Sequence, residues 1–382
     1  MRIRHQWIWS GVYSESSNMR LQIQFTKAQL TLGLAFLPLL AAQTAEPTKT
    51  YPPSPVIRSV IFDTDHLQRA APGSDLWPIT WADDDQLYTS WGDGGGFGGT
   101  DSDGRVAVGI AEITGPGDHW RGVNILGGKN PVWKSPPFPG KSNGILSIDG
   151  ILYLHVIEQG KWWRSKIGRS ADRGRTWKFN EGDFDPSSWD FSEPDGAFSD
   201  MTFLNFGRDY TGARDEFVYV YSQDHRRKPD GTMAEITDDV ALFRVPKNKV
   251  MNHSEYEFFA GLNGLRSAWT RDIRQRIPVF TLHESVGFAV RVDYDAALRR
   301  YFLTTFHRWD GSWGIYDAPE PWGPWTTVAT FKQWIDSSPK FGFTFPQKWM
   351  SPDGKSLYMV FSGTKLYDSF NVVKATLQVN SH

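Results

Sequence analysis

The sequence predicts an all-β fold: a five-bladed β-propeller of four-stranded antiparallel blades, closed by pairing of the N-terminal strand with the last blade. Three observations carry this expectation. From Pro52 onward, short β-branched and aromatic runs alternate with Gly, Pro, Asp and Asn turns, and no long amphipathic helix interrupts them. One unit then recurs five times: an apolar strand, a polar turn, and a strand with an aromatic near its start. The last unit stops after its third strand, while a lone apolar strand stands before the first.

The five units are residues 78–93, 144–157, 201–222, 287–306 and 348–362. A third strand follows each, at 106–113, 163–169, 240–245, 313–318 and 370–377, and the first four turn into a fourth. Residues 56–62 supply the fourth strand missing from the final blade. Such a closure ties the chain ends together and leaves no open sheet edge. Six or seven blades would require strands that this reading merges. The segment Ser170-Ala171-Asp172-Arg173-Gly174-Arg175-Thr176-Trp177 resembles the Asp-box turn of sialidase-like propellers, in which Asp bonds the turn and Gly takes a positive φ. Its expected role is structural.

The chain has 382 residues, enough to bury a large core without crosslinks, and it contains no Cys. That excludes a disulfide framework, a thiolate metal site and a Cys nucleophile. Net charge is −2, so nothing points to nucleic acid or an anionic membrane. The uninterrupted apolar run is residues 30–42, preceded by Arg20 and Lys27, ending in Ala41 and Ala42 and followed by Thr44 and Ala45. It is shorter than the roughly 20 residues of a span and suits a signal-peptide core. Residues 1–45 are therefore expected to be a signal segment with an over-extended start, Met19 being the natural one. Residues 46–382 are expected to form one catalytic domain, secreted and monomeric. Asn252-His253-Ser254 is the single glycosylation sequon.

Strand order sorts the loops onto two ends of the blades. The lead-in to each first strand and the loop from second to third strand share one end, where propeller enzymes bind ligands. Asp83, Asp84 and Asp85 fall in a first-to-second turn at the opposite end and read as solvated turn residues. The near end gathers Asp75, Trp77, Lys141, Asn143, Asp200, Glu284 and Lys348 from lead-ins. From the loops come Asp93, Trp163, His225, Arg226, His307, Arg308 and Trp309, and Tyr367 with Asp368. Aromatic faces stack on sugars, and charged groups bond hydroxyls or move protons. The Gly-rich loop 92–104 lacks phosphate-loop spacing. Asp101-x-Asp103-Gly104 resembles the opening of a calcium loop but lacks its later ligands, so no cofactor or metal is expected beyond a structural calcium there.

At Asp75-Leu76-Trp77-Pro78-Ile79-Thr80-Trp81, Leu87-Tyr88 and Trp91-Gly92-Asp93, the sequence resembles a family of secreted propellers catalogued as domain of unknown function 4185. The stretch Tyr358-Met359-Val360-Phe361-Ser362-Gly363, with Phe370-Asn371 after it, carries the same resemblance. It implies a five-bladed fold similar to arabinanase and xylosidase propellers, and kinship with endo-D-arabinanases. Those enzymes place an Asp before the first inner strand, which Asp75 matches. Asp93 matches the Asp ending the family's second strand. Blades two and three offer no acid matched by motif; Lys141 and Asp200 occupy equivalent places.

The expected function is hydrolysis of a polysaccharide or oligosaccharide, with Asp75 and Asp93 as acid and base and Asp200 or Glu284 in support. Substrate contacts fall to Trp77, Lys141, Asn143, Trp163, His225, Arg226, Glu284, His307, Arg308 and Lys348. A propeller-type polysaccharide lyase using His225, His307, Arg226, Arg308, Lys141 and Tyr367 is the alternative. A lectin stacking sugars on Trp163 and Trp309 is a third.

Overall fold

Apolar strands separated by turn residues must bury their faces against one another, and here they do so as five sheets set around an axis. The computed structural model describes residues 51–159, 161–179, 200–224, 236–365 and 368–380, without the side chains of 161–163. The first described strands are β1 (Ile57–Phe62) and β2 (Gln68–Ala70). Blade one runs β3 (Ile79–Trp81), β4 (Leu87–Gly92), β5 (Val108–Thr114) and β6 (Arg121–Leu126). Blade two is β7 (Lys141–Ile148), β8 (Ile151–Glu158), β9 (Lys161–Ser170) and β10 (Lys178–Phe179).

Blade three is larger. It holds β11 (Thr202–Phe203), β12 (Phe217–Gln223), β13 (Ile236–Pro246), β14 (Glu257–Asn263) and β15 (Arg266–Thr270), and β16 (Phe280–Gly287) pairs back onto β13. Blade four is β17 (Arg291–Asp295), β18 (Arg300–Phe306), β19 (Trp313–Ala318) and β20 (Thr326–Phe331). Blade five is β21 (Lys340–Thr344), β22 (Ser356–Gly363) and β23 (Phe370–Val379).

Closure follows the expected route. β1 lies antiparallel to β23, with Val60 opposite Leu377 and Phe62 opposite Ala375. β2 then continues the same outer strand beside residues 370–372. The N-terminal segment thus covers the edge of β23 twice, interrupted by a short 3-10 turn. Between last and first blades, Trp77, Trp91, Val360, Phe370 and Val372 form one buried core.

Two inner strands differ from the sequence reading. In blade five the strand nearest the axis is β21, and residues 347–349 form a 3-10 turn beyond it. Phe341 and Phe343 of β21 are both buried, Phe341 against Phe288 and Phe343 stacked on Trp313 at 4.2 Å, and this packing holds β21 at the axis. In blade four the inner strand starts at Arg291, so the stretch holding Glu284 belongs to the edge of blade three.

Candidate functional site

The near end of blade one is built around a backbone bridge. Asp75 donates its N–H to Gly92 O and accepts from Gly92 N–H, both at 2.9 Å. The bridge places Asp75 beside Asp93, which follows Gly92 directly. A Cβ on residue 92 would lie 2.7 Å from Asp75 Oδ1, so glycine makes room for the carboxyl. Leu76 and Trp77 both take positive φ (75° and 40°) immediately after Asp75, as does Asp93 (57°). Strain of this kind costs about 1–3 kcal/mol per residue and persists where surroundings enforce it. Here Leu76 N–H is held by Ser362 Oγ at 3.0 Å, and its carbonyl by Arg291 Nη2 at 2.8 Å.

Three carboxyls and two cations meet at this point. Asp93 pairs with Lys141 Nζ from the start of β7, and with Arg105 Nη2 at 3.2 Å from the end of the Gly-rich loop. Asp368 arrives from the loop between β22 and β23, anchored by Gly73 N–H donating to its carbonyl at 2.8 Å. Among the described residues, the buried Oδ1 atoms of Asp75 and Asp368 have no hydrogen-bond partner. Burial pushes the Asp75 carboxyl well above the usual carboxylate range, reinforced by the charge of Asp368 and opposed by Lys141. Burial raises Asp368 to about 6, with the Asp93 charge adding and Lys141 opposing.

At the axis itself lies a second, internal network. Asp200 was expected among the acids of the depression, but it is buried with both oxygens engaged, by Asn143 Nδ2 and by Ala289 N–H at 2.5 Å. Arg291 donates to Asn143 O at 2.6 Å and to Leu76 O. Asp293 accepts from Thr344 Oγ1 (3.0 Å) and Phe345 N–H (2.8 Å). Desolvation raises Asp200 and Asp293 each to about 7 and lowers Arg291 to about 10. Asp200 and Asn143 therefore pin inner strands together instead of facing a ligand.

Other expected contacts are also relocated. Trp77 is fully buried between Trp91, Phe97 and Phe370, with its indole N–H on Ser74 O, so it is part of the core between the last and first blades. Lys348 sits at the opposite end of the blades, 3.3 Å from Asp85, since the 3-10 turn carries it past the far end of β21. Glu284 is exposed on β16, its N–H held by Asp238. His307 is half-buried, with Nε2 3.1 Å from the hydroxyl of buried Tyr316, and burial pushes it down to about 4.

Arg308 remains exposed, and Trp309 beside it is 37% exposed while packing on Phe288 and Phe306. His225, Arg226, Tyr367 and the Trp163 side chain lie outside the described residues. Asp101 and Asp103 pair with Arg105 and Lys129. Among the described residues, no group of three or more His, Asp or Glu side chains is placed to hold a metal ion.

Sequence reasoning assigned no role to Arg105 or Arg291 and placed Asp368 only as a loop residue. A signal for Asp368 was present: it follows the second strand of its blade, as Asp93 follows that of blade one.

A family profile described as a domain of unknown function, DUF4185, matches residues 139–373. The chain belongs to the DUF4185 family. The matched span takes in blades two to five, hence Lys141 and Asp368, and leaves Asp75 and Asp93 on the blade before it. Among curated proteins, none matches this DUF4185 sequence. A solved candidate hydrolase from Bacteroides ovatus shares the fold at a TM-score of 0.50 and 11% identity, over 83% of this chain and 90% of its own. A GH43_1 enzyme from Xanthomonas citri gives 0.46 at 12% identity, over 85% and 94% of the two chains. An endo-arabinase from Bacteroides thetaiotaomicron gives 0.44 at 11%, over 87% and 99%. At such identities the likeness concerns the fold alone.

Proposed function

We propose that this DUF4185 protein hydrolyses a glycosidic bond, with Asp75 as general acid and Asp93 as general base. The observation that supports this is the unlike surroundings of two carboxyls joined across one bridge. Asp75 is desolvated, with one oxygen buried and unpartnered, which favours its protonated form. Asp93 is held between the Lys141 ammonium and the Arg105 guanidinium by two ion pairs. Glycosidases need that division: one carboxylic acid protonates the leaving oxygen while a carboxylate assists attack at the sugar carbon. Trp309 on the same end offers a half-open ring for stacking on a sugar. The apolar run at 30–42 supports action outside the cell.

The test is a polysaccharide panel read both for new reducing ends and for near-ultraviolet absorbance. Hydrolysis releases reducing ends without an unsaturated product. On an accepted glycan, Asp75→Asn and Asp93→Asn should each lower turnover at least about 100-fold with the melting transition kept, as loss of a catalytic acid or base does. Near-native turnover in both variants, or an unsaturated product from the wild type, overturns the reading.

A further inference from the structure

We propose that Asp368 is a positioning residue that shares a proton with Asp75 across the seam between the last blade and the first, so that the acid is assembled only where the ring closes. For its kinetic test the proposal rests on the hydrolase reading; its spectroscopic test does not.

The argument starts from the charges that face Asp75. The Gly-rich loop brings Asp93, Asp101 and Arg105, β7 brings Lys141, and the loop after β22 brings Asp368. Both cations are committed: Lys141 to Asp93, and Arg105 to Asp93 and Asp101 together. Among the described residues, Asp75 and Asp368 have no cation of their own. Each also carries a buried Oδ1 that no described residue bonds. Two enclosed carboxyls so placed cannot both ionise cheaply, and one retained proton relieves the repulsion. Burial raises both carboxyls; the Asp368 charge then adds to the rise of Asp75, and the Asp93 charge to that of Asp368.

The seam fixes this geometry. Asp368 is tied through its carbonyl to Gly73, two residues before Asp75. Ser362 at the end of β22 holds Leu76, and Phe370 after the loop packs edge-on to Trp77 at 4.9 Å. Each bond links blade five to the segment that leads into blade one.

The pH dependence of turnover on an accepted glycan tests the proposal. Asp368→Asn removes the neighbouring negative charge, so Asp75 loses its proton at lower pH. The alkaline limb should move down by about one unit or more while the acidic plateau stays within about tenfold. Asp368→Glu, which keeps a carboxyl, should return the limb toward the wild-type position. Carboxyl-carbon NMR titration of Asp75 without substrate should show the same fall in Asp368→Asn. An unchanged limb and midpoint overturns the proposal. So does a folded Asp368→Asn variant inactive at every pH, because Asp368 would then act on substrate itself. A fallen midpoint in a protein that cleaves no glycan would remove the hydrolase reading and leave the shared proton standing.

Discussion

Asp293 shows how one side chain ties stability to pH. Its carboxyl bonds Thr344 and Phe345 deep at the axis, and burial lifts it to about 7 in the folded chain. The unfolded value is about 3.9. A group raised on folding contributes stability that is fully present below its unfolded value and is lost as pH rises through its folded one. Asp200 at about 7 and Asp368 at about 6 act in the same direction. Melting temperature should therefore fall between pH 5 and pH 8. Asp293→Asn can accept from Phe345 N–H and donate to the Thr344 hydroxyl, so it should fold and show a shallower fall. Parallel curves for variant and wild type would show that Asp293 does not titrate in this window.

At the scale of an element, the turn between β3 and β4 holds its three carboxylates at the surface as expected, Asp84 and Asp85 exposed, and it is also a junction between blades. Asp83 bonds Arg173 of blade two at 2.9 Å, and its carbonyl accepts from Arg208 of blade three. Asp84 accepts from the Tyr88 hydroxyl at 2.8 Å, and Asp85 accepts from Trp81 Nε1 at 2.9 Å while facing Lys348 of blade five. Partly exposed pairs are each worth about 0.2–1 kcal/mol. Replacing all three with Asn should lower the melting temperature by a few degrees, at about 2–4 °C per kcal/mol for a domain of this class or larger. Turnover should stay within about threefold, because the turn lies at the end of the blades away from Asp75 and Asp93. A 100-fold loss with the fold intact would place the chemistry at the wrong end.

At the scale of the whole molecule, ring closure bears on both stability and the site. β1 and β2 cover the edge of β23, and β23 carries Phe370 into the core beneath Trp77. Removing residues 51–63 would strip β1 from that edge and leave a row of backbone donors and acceptors unpaired. The truncated chain should lose cooperative unfolding in urea and, with the seam loosened, its activity on any accepted glycan. Truncation that leaves both the urea midpoint and its slope unchanged would show that the ring closes without β1.

The sequence alone determined the alternation of strands and turns, the five units and the closing partner, because strand period and turn chemistry are written locally. It also named Asp75 and Asp93, which the structure sets side by side, Asp75 before β3 and Asp93 directly after β4. Only the tertiary structure decided that β21 and not residues 347–349 reaches the axis, since the packing of Phe341 and Phe343 against blade four settles it. It likewise turned Trp77, Asp200 and Asn143 inward, where short-range pattern gives no sign of which polar or aromatic groups are enclosed. Asp368 and Arg105 joined the site for a related reason. Asp368 is far from Asp75 along the chain, and it comes beside it only because a closed ring sets the last blade against the first.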